Sequence, residues 1–373
     1  MITVQNTYKE NRIPELDGIR GVAILLVILW HYVNNQLVKN DSGIISFILK
    51  LTSNCLNGVD LFFVLSGFLI GGILLKYKNS KNYFKTFYLR RIFRIFPLYY
   101  TVLGLYIILY FSIPNITQIM PVLFTDTVPI WSFTVYCQNF LMALKYSFGP
   151  GWLGVTWSLA IEEQFYLFLP LLIFILNRQI LTIVVILLII AATVLRYFAL
   201  DNFQMHLLFQ YRMDSLFTGV LLAIMLKNLY VENFLKSQKK LIYTLFLILL
   251  IVYFLFTFEV ILIPHYLTFF LFNTLFAIFI IIPLLFKDSR ISKFLRNKIL
   301  RQIGVISYGI YLFHMIIIYF IYWVLGKNRL EINNNLLISV IAVVAFGFTL
   351  LLSFVSFYFF ENKIIKYGHK YKY

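Results

Sequence analysis

Arg20 and His31 lie inside the first hydrophobic segment of the chain and are the first residues that could do chemistry. A cation or an imidazole is costly to place in an apolar membrane helix, so both are functional candidates. Their separation corresponds to about three helical turns, so both side chains point from one face and lie roughly 16 Å apart along the axis. We predict Arg20 near one membrane surface and His31 near the middle of the bilayer, on a polar line leading to an active site in which histidine handles a proton.

Three arginines, Arg90, Arg91 and Arg94, precede Pro97 at the start of the third hydrophobic segment. Arg91 and Arg94 have the spacing of neighbours on one helical face. Such a pair can hold phosphates through charge-assisted hydrogen bonds, although snorkelling cations at a membrane surface are the ordinary alternative. Pro97 is typical of a first helical turn, so we expect the third membrane helix to begin there.

Two adjacent carboxylates, Glu162 and Glu163, fall near the middle of the fourth segment. Consecutive residues point about 100° apart on a helix, so both cannot serve one contact. We expect one glutamate to meet His31 as an orienting or proton-transfer partner, and the other to meet Arg212 or Arg20. Side chains in the same segment that could support the site are Trp157, Ser158 and Tyr166.

The sixth segment contains Arg212 and Asp214, which are too close in the sequence to share a helical face. We therefore expect each side chain to pair with a residue of another helix. A functional role and a purely structural ion pair between helices are equally compatible with this pattern. Asp60 adds a further charge at the outer start of the second segment. Gly67 and Gly71 follow it with the spacing that favours close helix packing.

In the ninth segment Ser307, Tyr311 and His314 form an i, i+4, i+7 stripe on one helical face. His314 is expected at a depth similar to that of His31. By itself it is best interpreted as a packed, hydrogen-bonded histidine. The histidines of the chain are scattered without ligand spacing, so no metal site is predicted.

The elements that position these residues are membrane helices. The chain is 61% hydrophobic and 13% charged, with a mean hydropathy of +0.86, which excludes a soluble domain. Its apolar residues come in blocks of about 20, the length that crosses a bilayer core. We predict an all-α polytopic protein with ten spans at 19–38, 58–75, 95–113, 152–176, 180–199, 206–226, 241–258, 264–286, 303–325 and 336–359.

The net charge of +17 is explained by membrane topology, so no nucleic-acid partner is needed. With both termini in the cytoplasm, most of the 32 lysines and arginines fall on the inner side, including Lys9 and Arg12. The exceptions outside the membrane are Lys39, Lys50, Lys145, Lys327 and Arg329. This asymmetry is the positive-inside signature, and it supports the even number of spans.

The region 114–150 is the exception to the short connections between spans. Its apolar stretch 130–144 is short for a span, so we expect a re-entrant or interfacial piece. Cys55 and Cys137 both fall on the outer side, and we expect free thiols because no spacing pattern supports a disulfide.

Five motifs, in this order and spacing, resemble the acyltransferase-3 membrane family. The motifs run from Leu16 to His31, from Gly58 to Phe68, from Arg90 to Pro97, from Trp157 to Tyr166 and from Ile306 to His314. The likeness extends to Glu361, essentially the whole chain. It implies an enzyme of the cell membrane that moves an acyl group, usually acetyl, from cytoplasmic acyl-CoA to a hydroxyl of an envelope glycan.

The resemblance also implies roles for individual residues. Arg20 and His31 match the family's signature of an arginine, ten residues and a histidine that is regarded as catalytic, and Arg91 and Arg94 match its paired arginines. We assign catalysis to His31, Glu162, Glu163 and Arg20, with His31 as base or as acyl carrier, and acyl-CoA binding to Arg91, Arg94 and Arg90. Supporting positions are Asp17, Asp60, Trp157, Ser158, Tyr166, Arg212, Asp214, Ser307, Tyr311 and His314.

The expected partners follow from this reaction. Acyl-CoA, by default acetyl-CoA, is the co-substrate, no cofactor is expected to be tightly bound, and the acceptor is a glycan or lipid-linked saccharide. Some family members carry a second, extracytoplasmic hydrolase-like domain. We expect a single membrane domain over residues 1–373. Transfer would then be completed by this domain itself, or by a separate partner, either an extracytoplasmic transferase or polysaccharide-synthesis machinery.

A transporter or exporter of polysaccharide or small molecules is the alternative function, because charges within spans also mark transport pathways. The sequence contains no internal repeat of the motifs and no matching pair of Gly/Pro-broken helices, which favours the enzyme. A scaffold is the third possibility, and it has little reason to bury so many charges.

Overall fold

The computed structural model describes residues 13–39, 43–199, 201–326 and 332–373, which form helices and connections without any strand. Ten helices of this described part are long and apolar enough to cross a membrane. They are α1 (Pro14–Asn34), α2 (Gly43–Tyr77), α3 (Tyr83–Ser112), α4 (Gly154–Ile175), α5 (Arg178–Phe198), α6 (Asn202–Leu226), α7 (Lys239–Thr257), α8 (His265–Leu285), α9 (Ser307–Val324) and α10 (Asn335–Gly368). Shorter helices lie in the connections at Ile116–Ile119, Ile130–Thr134, Gln138–Lys145, Leu229–Ser237, Arg290–Leu295 and Lys298–Val305.

Each predicted span overlaps one of these ten helices, so the predicted all-α multi-pass membrane fold is confirmed. The cytoplasmic location of the termini stays a prediction. Part of the charge distribution behind it, at Lys9, Arg12, Lys327 and Arg329, lies outside the described residues.

Helix α1 begins earlier than predicted, at Pro14, where a proline suits the first turn. Glu15 and Asp17 are buried in the helix, and each pairs with an arginine. The depth of His31 near the middle of the bilayer stays a prediction. His31 lies close to the end of α1 that is remote from Pro14.

Helix α3 also begins earlier than predicted, at Tyr83, so Pro97 lies in its interior and does not mark its start. A proline inside a membrane helix is tolerated where the surrounding groups satisfy the freed backbone. The turns before Pro97 are held in place because Tyr83 and Phe87 are buried against the bundle. Arg91 and Arg94 consequently lie well inside α3, several turns from its first residue.

The apolar stretch predicted at 130–144 forms two short helices, Ile130–Thr134 and Gln138–Lys145, and not a span. Tyr136 separates them with a left-handed backbone (φ 55°). The segment packs into the protein, as expected of a re-entrant piece, because the Gln138 amide donates to the Thr156 carbonyl and the Asn139 amide to the Leu207 carbonyl. The expectation that Cys55 and Cys137 are free thiols is confirmed.

Helices α2 and α6 pack with almost no side chain between their backbones. A Cβ atom added at Gly67 would lie 1.9 Å from the carbonyl oxygen of Leu216, and one added at Gly219 would lie 2.0 Å from that of Val64. The closest approach therefore uses Gly67 with Gly219, whereas a Cβ at Gly71 would lie 3.3 Å from the Cα atom of Val220, a tight contact without backbone overlap. This contact sets the position of the α2 residues that line the central cavity.

We predict that Gly67→Ala lowers the free energy of unfolding by about 1–3 kcal/mol, because the two helix backbones would have to separate. Gly72→Ala is the matched control, since no atom lies within 4 Å of a Cβ at that position. Equilibrium unfolding in detergent micelles measures both changes. Equal effects of the two substitutions would contradict the assigned contact.

Candidate active site

A cavity of about 210 Å³ lies between α1, α2, α3, α4 and α9. Its walls are largely aliphatic and aromatic, with polar side chains on all five helices. The polar residues that line it are Arg20, Ser66, Arg91, Arg94, Ser158, Glu162, Tyr166, Ser307, Tyr308 and Tyr311. Residues proposed from four separate sequence motifs therefore meet in one space.

Positive charge is contributed to the cavity by Arg20 of α1 and by Arg91 and Arg94 of α3. The Arg20 guanidinium is 3.0 Å from the Asp17 carboxylate, one turn earlier on α1. Arg91 lies over the ring of Tyr166 at 5.8 Å from its centroid. The three guanidiniums come from two helices and border a common space, as an anionic ligand requires.

Glu162 lines the cavity and lies at the end of a hydrogen-bonded chain of hydroxyl groups. The Tyr166 hydroxyl donates to Glu162 Oε2 at 3.1 Å, and it lies 2.5 Å from the hydroxyl of Ser66. The expectation that this carboxylate contacts His31 is not met among the hydrogen bonds of the described structure. Helical periodicity places Glu162 on the face of α4 that borders the cavity. The hydroxyl group that a second helix adds to this chain is Ser66 of α2, and not a group of α1.

Glu163 points away from Glu162, as their adjacent positions require, and does not line the cavity. Its Oε1 atom is buried and has no hydrogen-bond partner among the described residues. Arg90 also lies elsewhere, because its guanidinium donates to the Tyr371 carbonyl at 2.9 and 2.7 Å and lies over the ring of Tyr373. This contact anchors 371–373, and the part of Arg90 in acyl-CoA binding stays a prediction.

His31 lies in a π-helical turn, Trp30–Asn34, at the end of α1. This local widening is a feature found frequently at functional sites. Its Nδ1 atom is 2.9 Å from the carbonyl oxygen of Val27, which lines the cavity. A carbonyl only accepts hydrogen bonds, so Nδ1 carries the hydrogen and Nε2 carries the lone pair. The backbone of α1 thus selects the tautomer whose Nε2 can accept a proton or attack a carbonyl.

A second imidazole, His314 of α9, contacts the first. The ring centroids of His31 and His314 are 4.8 Å apart, at an interplanar angle of 72°. His314 Nδ1 donates to the carbonyls of Tyr311 and Ile310, which holds its ring as a packed histidine. Its Nε2 is buried without a hydrogen-bond partner in the described part of the chain. Tyr32, which lies next to His31 in the π-helical turn of α1, ties this turn to α9 because its hydroxyl donates to the His314 carbonyl at 2.6 Å.

The stripe predicted on α9 leads from the cavity to this pair. Ser307 and Tyr311 line the cavity, and His314 follows one turn beyond Tyr311. The Tyr311 hydroxyl donates to the Val155 carbonyl at 2.6 Å and lies 3.1 Å from the Ser158 hydroxyl. On the side of the cavity towards the histidines, the polar side chains of the wall are therefore the hydroxyl groups of Ser158 on α4 and Tyr311 on α9.

Four buried charges form a separate network beside the cavity. Arg212 lies 2.8 Å from Asp60, and Arg196 lies 2.7 Å from Asp214, with all four side chains at most 1% exposed. The expected pairing of Arg212 with a glutamate is therefore wrong, because Asp60 of α2 occupies that position. Arg212 also lies over the ring of Trp157 at 5.7 Å, so this tryptophan supports the network and not the cavity lining.

Sequence reasoning missed three residues of these sites. Arg196 forms half of a buried ion pair, and its position within a span was a sufficient signal. Ser66 and Tyr308 line the cavity. Both lie inside motifs that carry the family resemblance. Their hydroxyl groups are neutral and inexpensive to bury in a membrane helix, so they did not stand out as charged residues do.

The ten-helix bundle with a cation-lined internal cavity defines a multi-pass membrane protein with a candidate active site between its helices. The chain belongs to the acyltransferase-3 family, because the family model described as an acyltransferase domain matches residues 13–357.

Among its relatives, the chain is 31% identical to the peptidoglycan O-acetyltransferase OatA of Listeria monocytogenes, over 97% of this chain and 57% of the relative. It is 28% identical to the O-acetyltransferase OatA of Staphylococcus aureus, over 98% of this chain and 59% of the relative. The chain thus spans less than three fifths of the length of these relatives. No solved structure matches the chain.

We predict that Arg212→Met lowers the free energy of unfolding by about 3–5 kcal/mol, because it leaves the Asp60 carboxylate buried without its counter-charge. The double variant Asp60→Leu/Arg212→Met is expected to recover most of this loss. Denaturant unfolding in micelles measures both. If the double variant is as unstable as Arg212→Met alone, the two residues do not act as a pair.

Proposed function

We propose that the protein is an O-acyltransferase of the cell membrane that transfers an acyl group, acetyl by default, from cytoplasmic acyl-CoA to a hydroxyl of an envelope glycan. The observation that carries the proposal is the cavity that Arg20, Arg91 and Arg94 line. His31 and His314 are not among its lining residues, but they contact each other one helical turn beyond Val27 and Tyr311, which are. The anion-binding groups thus border a space whose α1 wall includes Val27, the residue whose carbonyl binds Nδ1 of His31.

The arginines are proposed to bind the phosphates of the donor. Guanidinium groups bind phosphate oxygens through paired, charge-assisted hydrogen bonds, and CoA carries several phosphates. Arg20 lies roughly 16 Å from His31 along α1, so it is too far away to contact the same reacting carbonyl. We therefore assign Arg20 to donor binding together with Arg91 and Arg94. The positive-inside distribution of charge supports a cytoplasmic location for this end of the cavity.

The proposed chemistry centres on Nε2 of His31. The acceptor hydroxyl oxygen attacks the thioester carbonyl carbon while Nε2 takes the hydroxyl proton. The carbon–sulfur bond then breaks, and the CoA thiolate leaves with the proton that the imidazolium returns. If His31 instead carries the acyl group, the same lone pair attacks the thioester first and the carbon–sulfur bond breaks to release the CoA thiolate. The acceptor hydroxyl then takes the acyl group from the imidazole, and its proton passes to the freed nitrogen. The Ser158 hydroxyl is the proposed hydrogen-bond donor for the negative charge on the carbonyl oxygen, and Tyr311, which donates its own hydrogen to the Val155 carbonyl, lies beside it.

The position of His31 near one end of α1 supports transfer across the membrane. The donor would enter from the arginine end, whereas the acceptor would approach from the opposite side. The printed name of the Listeria relative specifies peptidoglycan. We accordingly propose peptidoglycan as the first acceptor to test for this chain.

We predict that His31→Gln lowers acyl transfer by a factor of about 10²–10⁴, because the lone pair that accepts the hydroxyl proton is lost. The assay is mass spectrometry of envelope glycans, together with CoA release by purified protein in nanodiscs. His265→Gln is the control, since this histidine is exposed at the start of α8. Full transfer by His31→Gln would exclude the assigned role, and transport of an unmodified saccharide without CoA release would exclude the enzyme.

We predict that Arg91→Gln and Arg94→Gln each raise the KM for acetyl-CoA roughly ten-fold, because a hydrogen bond to a charged group is worth about 1.5–3 kcal/mol. The kcat is expected to change much less, since these arginines are proposed to bind the phosphates and not the reacting carbonyl. Arg290→Gln removes an exposed charge from another connection and serves as control. A fall in kcat at unchanged KM would contradict the assignment.

A further inference from the structure

Three cations outside the central cavity form a closed cycle with three helix ends. Lys78, which follows α2, donates to the carbonyl of Leu176 at the end of α4, at 2.6 Å. Arg178, which follows α4, donates to the carbonyl of Ile224 near the end of α6, at 2.8 Å. Lys227, which follows α6, donates to the carbonyl of Leu75 near the end of α2, at 2.6 Å. Each helix end is thus capped by the cation that follows another helix.

The cycle surrounds a pocket of about 180 Å³, well above the roughly 10–15 Å³ that one water molecule requires. Apart from the three cations, the pocket is lined by the aliphatic side chains of Leu75, Ile173, Leu176 and Leu181. None of the described residues that line it is an aspartate or a glutamate. Glu232, the next acidic residue after Lys227 in the sequence, is paired with Lys236 at 2.6 Å.

Capping of helix ends does not neutralise this pocket. A helix C-terminus is equivalent to about half a negative charge, so three of them offset roughly half of the three positive charges. Each lysine ammonium has three N–H groups and the guanidinium has five, and each cation uses one of them in the cycle. The pocket therefore retains positive charge and free N–H groups that can bind an anion.

We propose that this pocket binds the phosphate of an anionic phospholipid. The helix ends that form it mark the membrane boundary, and basic pockets between helices at that level suit lipid headgroups. Apolar residues of α5 beyond the pocket are exposed, with Ile183 and Leu187 at 58% and 57%, and offer a surface for acyl chains. The aliphatic lining provides no aromatic ring to stack on a nucleotide base, which favours a lipid over the adenine end of CoA.

The test measures lipid retention by the full chain. Protein in nanodiscs of phosphatidylcholine with increasing phosphatidylglycerol is released and analysed by native mass spectrometry. We expect one phosphatidylglycerol to be retained in preference to phosphatidylcholine. Lys78→Gln, Arg178→Gln and Lys227→Gln keep an N–H donor for the carbonyl but remove the charge, and each should lower the apparent affinity roughly five-fold. Lys240→Gln removes an exposed charge from the first turn of α7 and should leave retention unchanged.

Three results would overturn the proposal. The wild-type protein could show no selection for phosphatidylglycerol, which decides the question even where a variant fails to assemble. The Lys240→Gln control could lose retention as strongly as the pocket variants, which would indicate a general charge effect. Inorganic phosphate or adenosine 3′,5′-bisphosphate could displace the retained lipid at millimolar concentration, which would assign the pocket to a free anion or to the nucleotide of CoA.

Discussion

A charge buried in an apolar bundle must find its counter-charge inside the protein, and this requirement organises the structure. Asp60 with Arg212 joins α2 to α6, and Arg196 with Asp214 joins α5 to α6. Asn273 of α8 donates to the same Asp214 carboxylate at 3.1 Å. Because an unpaired ion costs far more in the membrane than a paired one, these contacts hold four helices in one register.

The cavity depends on that register. Helix α2 contributes Asp60 to the ion pairs, Gly67 to the close contact with α6 and Ser66 to the cavity wall. A shift of α2 along its axis would break all three together. Across the cavity, His31 is oriented by a backbone carbonyl and a neighbouring imidazole, without a carboxylate partner in the described structure. The ion-paired side of the bundle therefore forms the space, and α1 places His31 one helical turn beyond Val27, which lines it.

The sequence predicted much of the site because membrane burial makes polar residues conspicuous. Arg20, Arg91, Arg94, Glu162 and Tyr311 were chosen on that ground or by resemblance, and all of them line the cavity. The errors concern partners and helix limits. Glu162 accepts a hydrogen bond from Tyr166, and Arg212 pairs with Asp60. The sequence indicated the charge of Asp60 but did not predict that it contacts Arg212. Pro97 was mistaken for a helix start because the cost of a proline inside α3 is offset by contacts of the preceding turns with distant parts of the chain.

The sequence by itself determined the class of protein, the number of spans and the face of each helix on which a polar side chain lies, because hydropathy and the helical period are local properties. Only the tertiary structure decided which faces meet. It placed His31 against His314, Glu162 beside a hydroxyl of α2, and Arg90 on the backbone of 371–373. The physical reason is that a partner in a membrane bundle is set by which helices are adjacent, and adjacency depends on contacts between residues far apart in the sequence.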